Sequence, residues 1–130
     1  MKTTYGVALA AICGAVAGAS MVSALQAQPP DAPAYFIANI QQVTDAALYA
    51  RYRAAAPRTE EPFGGHVVAR GAPIMLDSSQ PPAGTVTVIQ FPSVKALMGW
   101  WNSPAYASIR PMREQATVSR AYAVAGLPAP

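Results

Sequence analysis

The chain has 130 residues, with nine basic and six acidic side chains, a net charge of +3, one cysteine and one histidine. That length accommodates one domain. The mild positive balance, carried by scattered arginines, excludes the dense basic footprint of a nucleic-acid binder. A metal centre would have to be built almost entirely from carboxylates, which show no ligand spacing.

Lys2 supplies an early positive charge, and no charged residue follows from Tyr5 to Leu25, a run dominated by Ala, Gly, Val and Leu. Small residues then lead to Ala24 and Ala27. Charge, apolar run and small residues, in that order, are the pattern of a secretory signal. Cleavage is expected after Ala27, giving a signal peptide over residues 1–27 and a periplasmic or secreted protein. The run is rich in Ala and Gly, which gain little from hydrocarbon, so no stable membrane association is expected after cleavage. Ile12 before Cys13 and the few apolar residues upstream argue against lipidation. Cys13 leaves with the signal, so the processed chain has no thiol chemistry. Residues 28–130 keep eight basic and six acidic side chains, a net charge of +2.

Residues 28–33, rich in proline, read as a linker. Residues 34–43, AYFIANIQQV, have the aromatic and β-branched content of a strand. Tyr35, Ile37, Asn39 and Gln41 share one of its faces, and Phe36, Ala38 and Ile40 the other. Thr44 and Asp45 are good helix caps. Leu48, Tyr49, Tyr52, Ala55 and Ala56 recur at helical spacing, predicting a helix over 46–56 that Pro57 breaks or kinks, with room for a further turn through Glu60 that Pro62 ends. Gly64-Gly65 supplies a turn. His66–Arg70 alternates as a strand, with a weak extension through Pro73–Leu76. Residues 77–84 are a loop, and Thr85–Phe91, TVTVIQF, is the clearest strand.

Ser93 caps a helix in which Val94, Leu97, Met98 and Trp101 form one apolar stripe. Trp101 is therefore expected in the core and Trp100 toward a rim. Asn102 closes this helix. Ser103-Pro104 opens the next, whose buried side is Tyr106, Ile109 and Met112. Residues 117–125 form the last strand. The domain occupies 34–127 and residues 128–130 are a tail.

Strand, helix, strand, strand, helix, strand is the βαββαβ order of a ferredoxin-like α+β fold, an antiparallel sheet with helices on one face. The other face, with Val68, Val86, Val88, Tyr122 and Val124, is too apolar for water. Pairing with a second copy of the chain would cover it.

Several segments carry a family resemblance: AYFIANI at 34–40, DAALYARYRAAA at 45–56, Phe63-Gly64-Gly65 with Val68-Ala69-Arg70-Gly71, and Ile89-Gln90-Phe91-Pro92-Ser93. Trp101-Asn102-Ser103-Pro104-Ala105-Tyr106, with Pro111 and Arg113, completes the set. Together, over most of residues 34–126, they resemble the domain of unknown function 1330 family. That resemblance implies a dimeric α+β barrel, sheet against sheet, and no established reaction. The chain departs from the family at Gln90, where Glu is usual, at Ala72 after Arg70-Gly71, and at Thr85, where Arg is common. Losing a carboxylate and an arginine weakens the case for acid–base chemistry at the sheet.

The candidate ligand set is Tyr35, Asn39, His66, Arg70 and Gln90, polar groups on strands. By alternation His66, Val68 and Arg70 share a face. If that face lines the barrel, Arg70 would clamp a carboxylate or phenolate between subunits. Against this stands a structural role for Arg70, paired with Asp45 or Glu114 or placed at the dimer seam. His66 and Arg70 are the weak candidates for catalysis, with His66 moving a proton and Arg70 holding an anion. A surface histidine is the plainer reading. Serines at 78, 79, 93, 103 and 108 lack a nucleophile-elbow pattern.

The sequence thus points to an exported homodimer that binds a small aromatic or acidic molecule without a cofactor or metal. A cofactor-free monooxygenase or isomerase acting on an aromatic or lactone substrate is the alternative, by fold analogy alone. A purely structural or interaction module is a third.

Overall fold

The computed structural model describes residues 32–130 apart from 78 and 81. The expected signal peptide, and most of the linker after it, lie outside the described residues. Four strands and three helices follow one another: β1 (Ala34–Val43), α1 (Ala46–Glu60), a short 3₁₀ turn (Glu61–Phe63), β2 (His66–Gly71), β3 (Thr85–Phe91), α2 (Val94–Trp101), α3 (Pro104–Ala116) and β4 (Thr117–Ala125). The sheet order is β2-β3-β1-β4, with every neighbouring pair antiparallel. This is the ferredoxin-like arrangement, with the two longest strands, β1 and β4, side by side.

Local chemistry sets the helix starts. Asp45, Ser93 and Ser103 each accept a hydrogen bond from the backbone N–H three residues on, at Leu48, Ala96 and Tyr106. Each satisfies a donor that the first helical turn leaves without a partner. Pro104 follows Ser103 at the first helical position, where its missing N–H costs nothing.

One expectation about the helices is met and one is corrected. α1 runs unbroken through Pro57 and takes the further turn to Glu60. The extra turn is anchored from both sides. Thr59 donates to the Ala56 carbonyl at 2.7 Å and accepts from Trp100 Nε1 at 3.0 Å, and Gly65 N–H donates to the Glu60 carbonyl at 3.1 Å. These contacts offset the hydrogen bond that proline cannot donate. In α2 it is Trp100 that is fully buried, while Trp101 is half-buried. The inward face of this short helix is rotated toward Leu97 and Trp100, leaving Met98 exposed at the far edge of the stripe.

Trp100 is the centre of the core. Its ring lies 4.1 Å from Tyr106, 5.0 Å from Phe36 and 5.2 Å from Phe91, centroid to centroid. Ala34, Ala38, Ile40, Tyr52, Ala56, Ile89, Leu97 and Ile109 complete the cluster between helices and sheet. Among the described residues, the opposite sheet face carries no helix. Ile37, Val86 and Val88 are half-buried there, and Val68, Tyr122 and Val124 are exposed, Tyr122 by 54%.

Residues 73–76 do not extend β2, which ends at Gly71. The strand itself contains a β-bulge. Val67 pairs with Ile89 and Ala69 with Val88, so Val68 is the extra residue. Because side chains alternate with a period of two, one inserted residue moves everything after it to the other face.

Candidate functional site

The bulge decides where the polar strand residues go. His66, Gln90 and Tyr35 are directly cross-strand on the uncovered face, next to Val124. Asn39 lies on the same face, opposite Val86 and Arg120. Arg70 does not join them. It pairs with Thr87, on the helix-covered face, and its Nε donates to Thr87 Oγ1 at 3.2 Å. The expectation that His66 and Arg70 share a face is therefore corrected: alternation holds only in a strand without a bulge. Neither structural partner anticipated for Arg70 is in place, since Glu114 pairs with Arg110 at 3.6 Å and Asp45 caps α1.

The other four residues have modest roles. His66 is exposed at the strand start, its Nδ1 3.4 Å from the Gly64 carbonyl. Asn39 is buried and donates from Nδ2 to the Ala83 carbonyl at 2.9 Å, which ties down the end of the 72–84 loop. Tyr35 and Gln90 are half-buried in the apolar sheet.

Arg70 instead enters a cleft between α1 and the sheet. Its inner end is a cavity of about 40 Å³. The walls are Phe36, Ala38 and Ile40 of β1, Thr87 and Ile89 of β3, Tyr49, Tyr52, Arg53, Ala56, Pro57 and Glu60 of α1, and Val67, Arg70 and Arg113. Its outer end is a recess of about 200 Å³ open to solvent, whose lining includes Tyr49, Arg53, Arg70 and the Gly84-Thr85 end of the loop. Ile40, Tyr49, Arg53 and Arg70 belong to both. Two guanidinium groups therefore stand at the junction of the inner and outer chambers.

The deep end is more unusual. Arg113 is 4% exposed; its Nη1 donates to Ser119 Oγ at 2.9 Å, but its Nε has no acceptor among the described residues. Glu60 is also 4% exposed, and no ion pair within 4 Å forms around it among the described residues. Burial pushes the Glu60 carboxyl above its ordinary range; the Arg70 charge pulls the other way, and Glu61 adds to the rise. Tyr52 and Tyr106 meet hydroxyl to hydroxyl at 3.1 Å, and burial with that contact holds the Tyr52 phenol well above its usual range, so it stays protonated. Tyr49 and Tyr52 stack at 6.1 Å and present an aromatic wall.

The cleft thus combines three arginines, one carboxyl held toward its neutral form, and aromatic sides. It suits an organic anion. Of its charged members only Arg70 stands out from strand alternation. Arg53 and Glu60 continue the helical spacing of Tyr49 and Ala56, a stripe that takes in Glu60 only through the further turn after Pro57. Arg113, on a buried helix face, stands out in sequence only as part of the family resemblance, with no role attached.

Comparison with known proteins agrees with this architecture. RPA0582, a protein of unknown function from Rhodopseudomonas palustris, is 22% identical with a TM-score of 0.60, covering 83% of this chain and 92% of its own. SnoaB, a cofactor-independent oxygenase from Streptomyces nogalater, is 10% identical with a TM-score of 0.54, covering 75% and 96%. A dimeric ferredoxin-like protein of unknown function from Thermobifida fusca is 13% identical with a TM-score of 0.50, covering 72% and 91%. At these identities the likeness is one of fold. No curated protein matches the chain. The profile of the family described as "Domain of unknown function (DUF1330)" matches residues 33–127, and the chain belongs to that family.

Proposed function

We propose that the protein is an exported homodimer that binds a small organic acid, aromatic ones included, in the cleft beneath α1 of each protomer. The observation that carries the reading is the placement of Arg53 and Arg70 at the junction of the inner cavity and the open recess. Exposed guanidinium groups at the mouth of the cleft gain charge-assisted hydrogen bonds from a carboxylate or phenolate, while Tyr49 and Tyr52 supply a surface for the ligand's apolar part. This moves the ligand from the interface between sheets, where strand alternation puts it, to the helix side of the sheet.

Homodimer formation is supported by the uncovered apolar face and by the dimeric neighbour of similar fold. Export is supported by the charge, apolar and small-residue order of residues 1–27. Protein recovered from the cell envelope should have a mass corresponding to a start at Gln28.

Thermal unfolding in the presence of a panel of small carboxylic acids, phenols and their neutral amides tests the binding reading. A ligand at about 100 times its Kd contributes about 2.7 kcal/mol, a Tm rise on the order of 10 °C in a domain this small. Acids should raise Tm and amides should not, and Arg53→Met with Arg70→Met should abolish the rise. An indifferent wild type, or acids acting equally on the double variant, would contradict the reading. The oxygenase-like alternative rests on fold likeness to SnoaB; it predicts oxygen consumption with an aromatic substrate, and it cannot use Arg70 and His66 as a pair across the sheet.

A further inference from the structure

The inner chamber carries information beyond its charge. Arg113 lines it, and its buried Nε–H has no acceptor among the described residues. Such a donor costs on the order of 1–3 kcal/mol unless something in the chamber accepts it. The chamber holds about 40 Å³, enough for roughly three waters or for the two oxygens of one planar group. Arg70 reaches the same space from β2, and Glu60 from the end of α1.

We infer that the inner chamber receives the carboxylate of a small organic acid, held by Arg113 and Arg70 and by Glu60 in its protonated form, so that ligand and one proton bind together. This rests on the anion-binding reading of the cleft and adds the head group and the proton. Two ionised carboxylates in one small site repel, which favours protonation of one of them. Glu60 has little freedom to leave, because its backbone carbonyl is held by Gly65 N–H and its Cβ packs against that glycine. It must therefore take up a proton, after which its hydroxyl donates to the ligand in place of repelling it.

The surroundings favour that outcome. Burial already biases Glu60 toward the neutral carboxyl. The charged and titratable groups around it are Tyr49, Tyr52 and Arg53 on its own helix, Glu61 beyond it, Arg70 from β2 and Arg113 from α3. The chamber residues contributed by β1 and β3 are uncharged. The arginines hold the incoming carboxylate ionised while Glu60 accepts the proton from solvent. No bond other than O–H is made.

Isothermal titration of benzoate into the full chain at several pH values, each in phosphate and in Tris, measures protons taken up per ligand bound. Wild type should take up close to one proton at pH values above the Glu60 titration. Its affinity should fall about tenfold for each pH unit there. Glu60→Gln, which keeps the donor and loses the titration, should bind benzoate with no proton uptake and little pH dependence over that range. The wild-type pH series stands by itself should that variant fail to fold. Benzoate bound by wild type without proton uptake would overturn the inference and leave the anion site intact. No binding by wild type of benzoate or of any acid in the panel would overturn both.

Discussion

Gly84 shows how one residue positions the mouth of the cleft. Its φ is +74°, and a Cβ there would collide with the carbonyl oxygen of Ile40. Gly84→Ala combines left-handed strain with a backbone clash, and a loss of about 1–3 kcal/mol is expected, read from urea unfolding. The same close approach brings Ala83 to Asn39, so the variant should also weaken acid binding through the recess. The two tryptophans make the complementary case. Trp100→Ala removes a ring at the centre of the core and the partner of Thr59, and should cost about 3–5 kcal/mol. Trp101→Ala, at a half-buried position under the Arg110 guanidinium, should cost clearly less by the same measurement. An equal loss would contradict the packing described. Sequence spacing alone ranks these two residues the other way, because a two-turn helix with apolar residues on most sides does not reveal which side meets the sheet.

At the scale of elements, the strands and caps were legible and the bulge was not. The bounds of β1, β3 and β4, and the caps Asp45, Ser93 and Ser103, follow from alternation and from local hydrogen bonding, both written in adjacent residues. The extra residue at Val68 is a property of how β2 pairs with β3, and a six-residue strand cannot disclose it. The further turn of α1 through Glu60, which the sequence leaves open, is held by Thr59 meeting Trp100, 41 residues away. Those two tertiary facts determine most of the cleft: one sends Arg70 beneath α1, and the other brings Glu60 over it. Deleting Val68 removes the extra residue and leaves Ala69 opposite Val88 and Arg70 opposite Thr87, on the helix-covered face. The expected outcome is retained acid binding in the thermal assay with a folded circular dichroism spectrum. Loss of binding in a folded variant would mean that the cross-strand pairing with Thr87 does not place the arginine.

For the whole molecule, the two faces of the sheet carry separate tasks. The uncovered face is suited to meet a second copy, so Val88→Lys on it should give monomers by analytical ultracentrifugation while the cleft, on the other side, still binds acids. The buried Glu60 sets a pH dependence of stability whose sign follows from its upward shift. Below the unfolded value near 4.5 the group is neutral in both states and its favourable contribution is complete. As pH rises through the higher folded value, that contribution is lost. Glu60→Gln should therefore be more stable than wild type at pH 8 and lose less Tm between pH 5 and pH 8. A parallel decline in both proteins would contradict the burial assigned to this carboxyl.

The central claim is the location of the ligand, beneath α1 and away from the space between sheets. Side-chain Nε–H signals of ¹⁵N-arginine-labelled protein report it directly. On adding benzoate, Arg53, Arg70 and Arg113 should shift together and saturably, while the backbone amides of Tyr35, His66 and Gln90 stay in place. Shifts confined to those three amides and to Tyr122, with the arginines unmoved, would place the ligand on the opposite face and contradict the account.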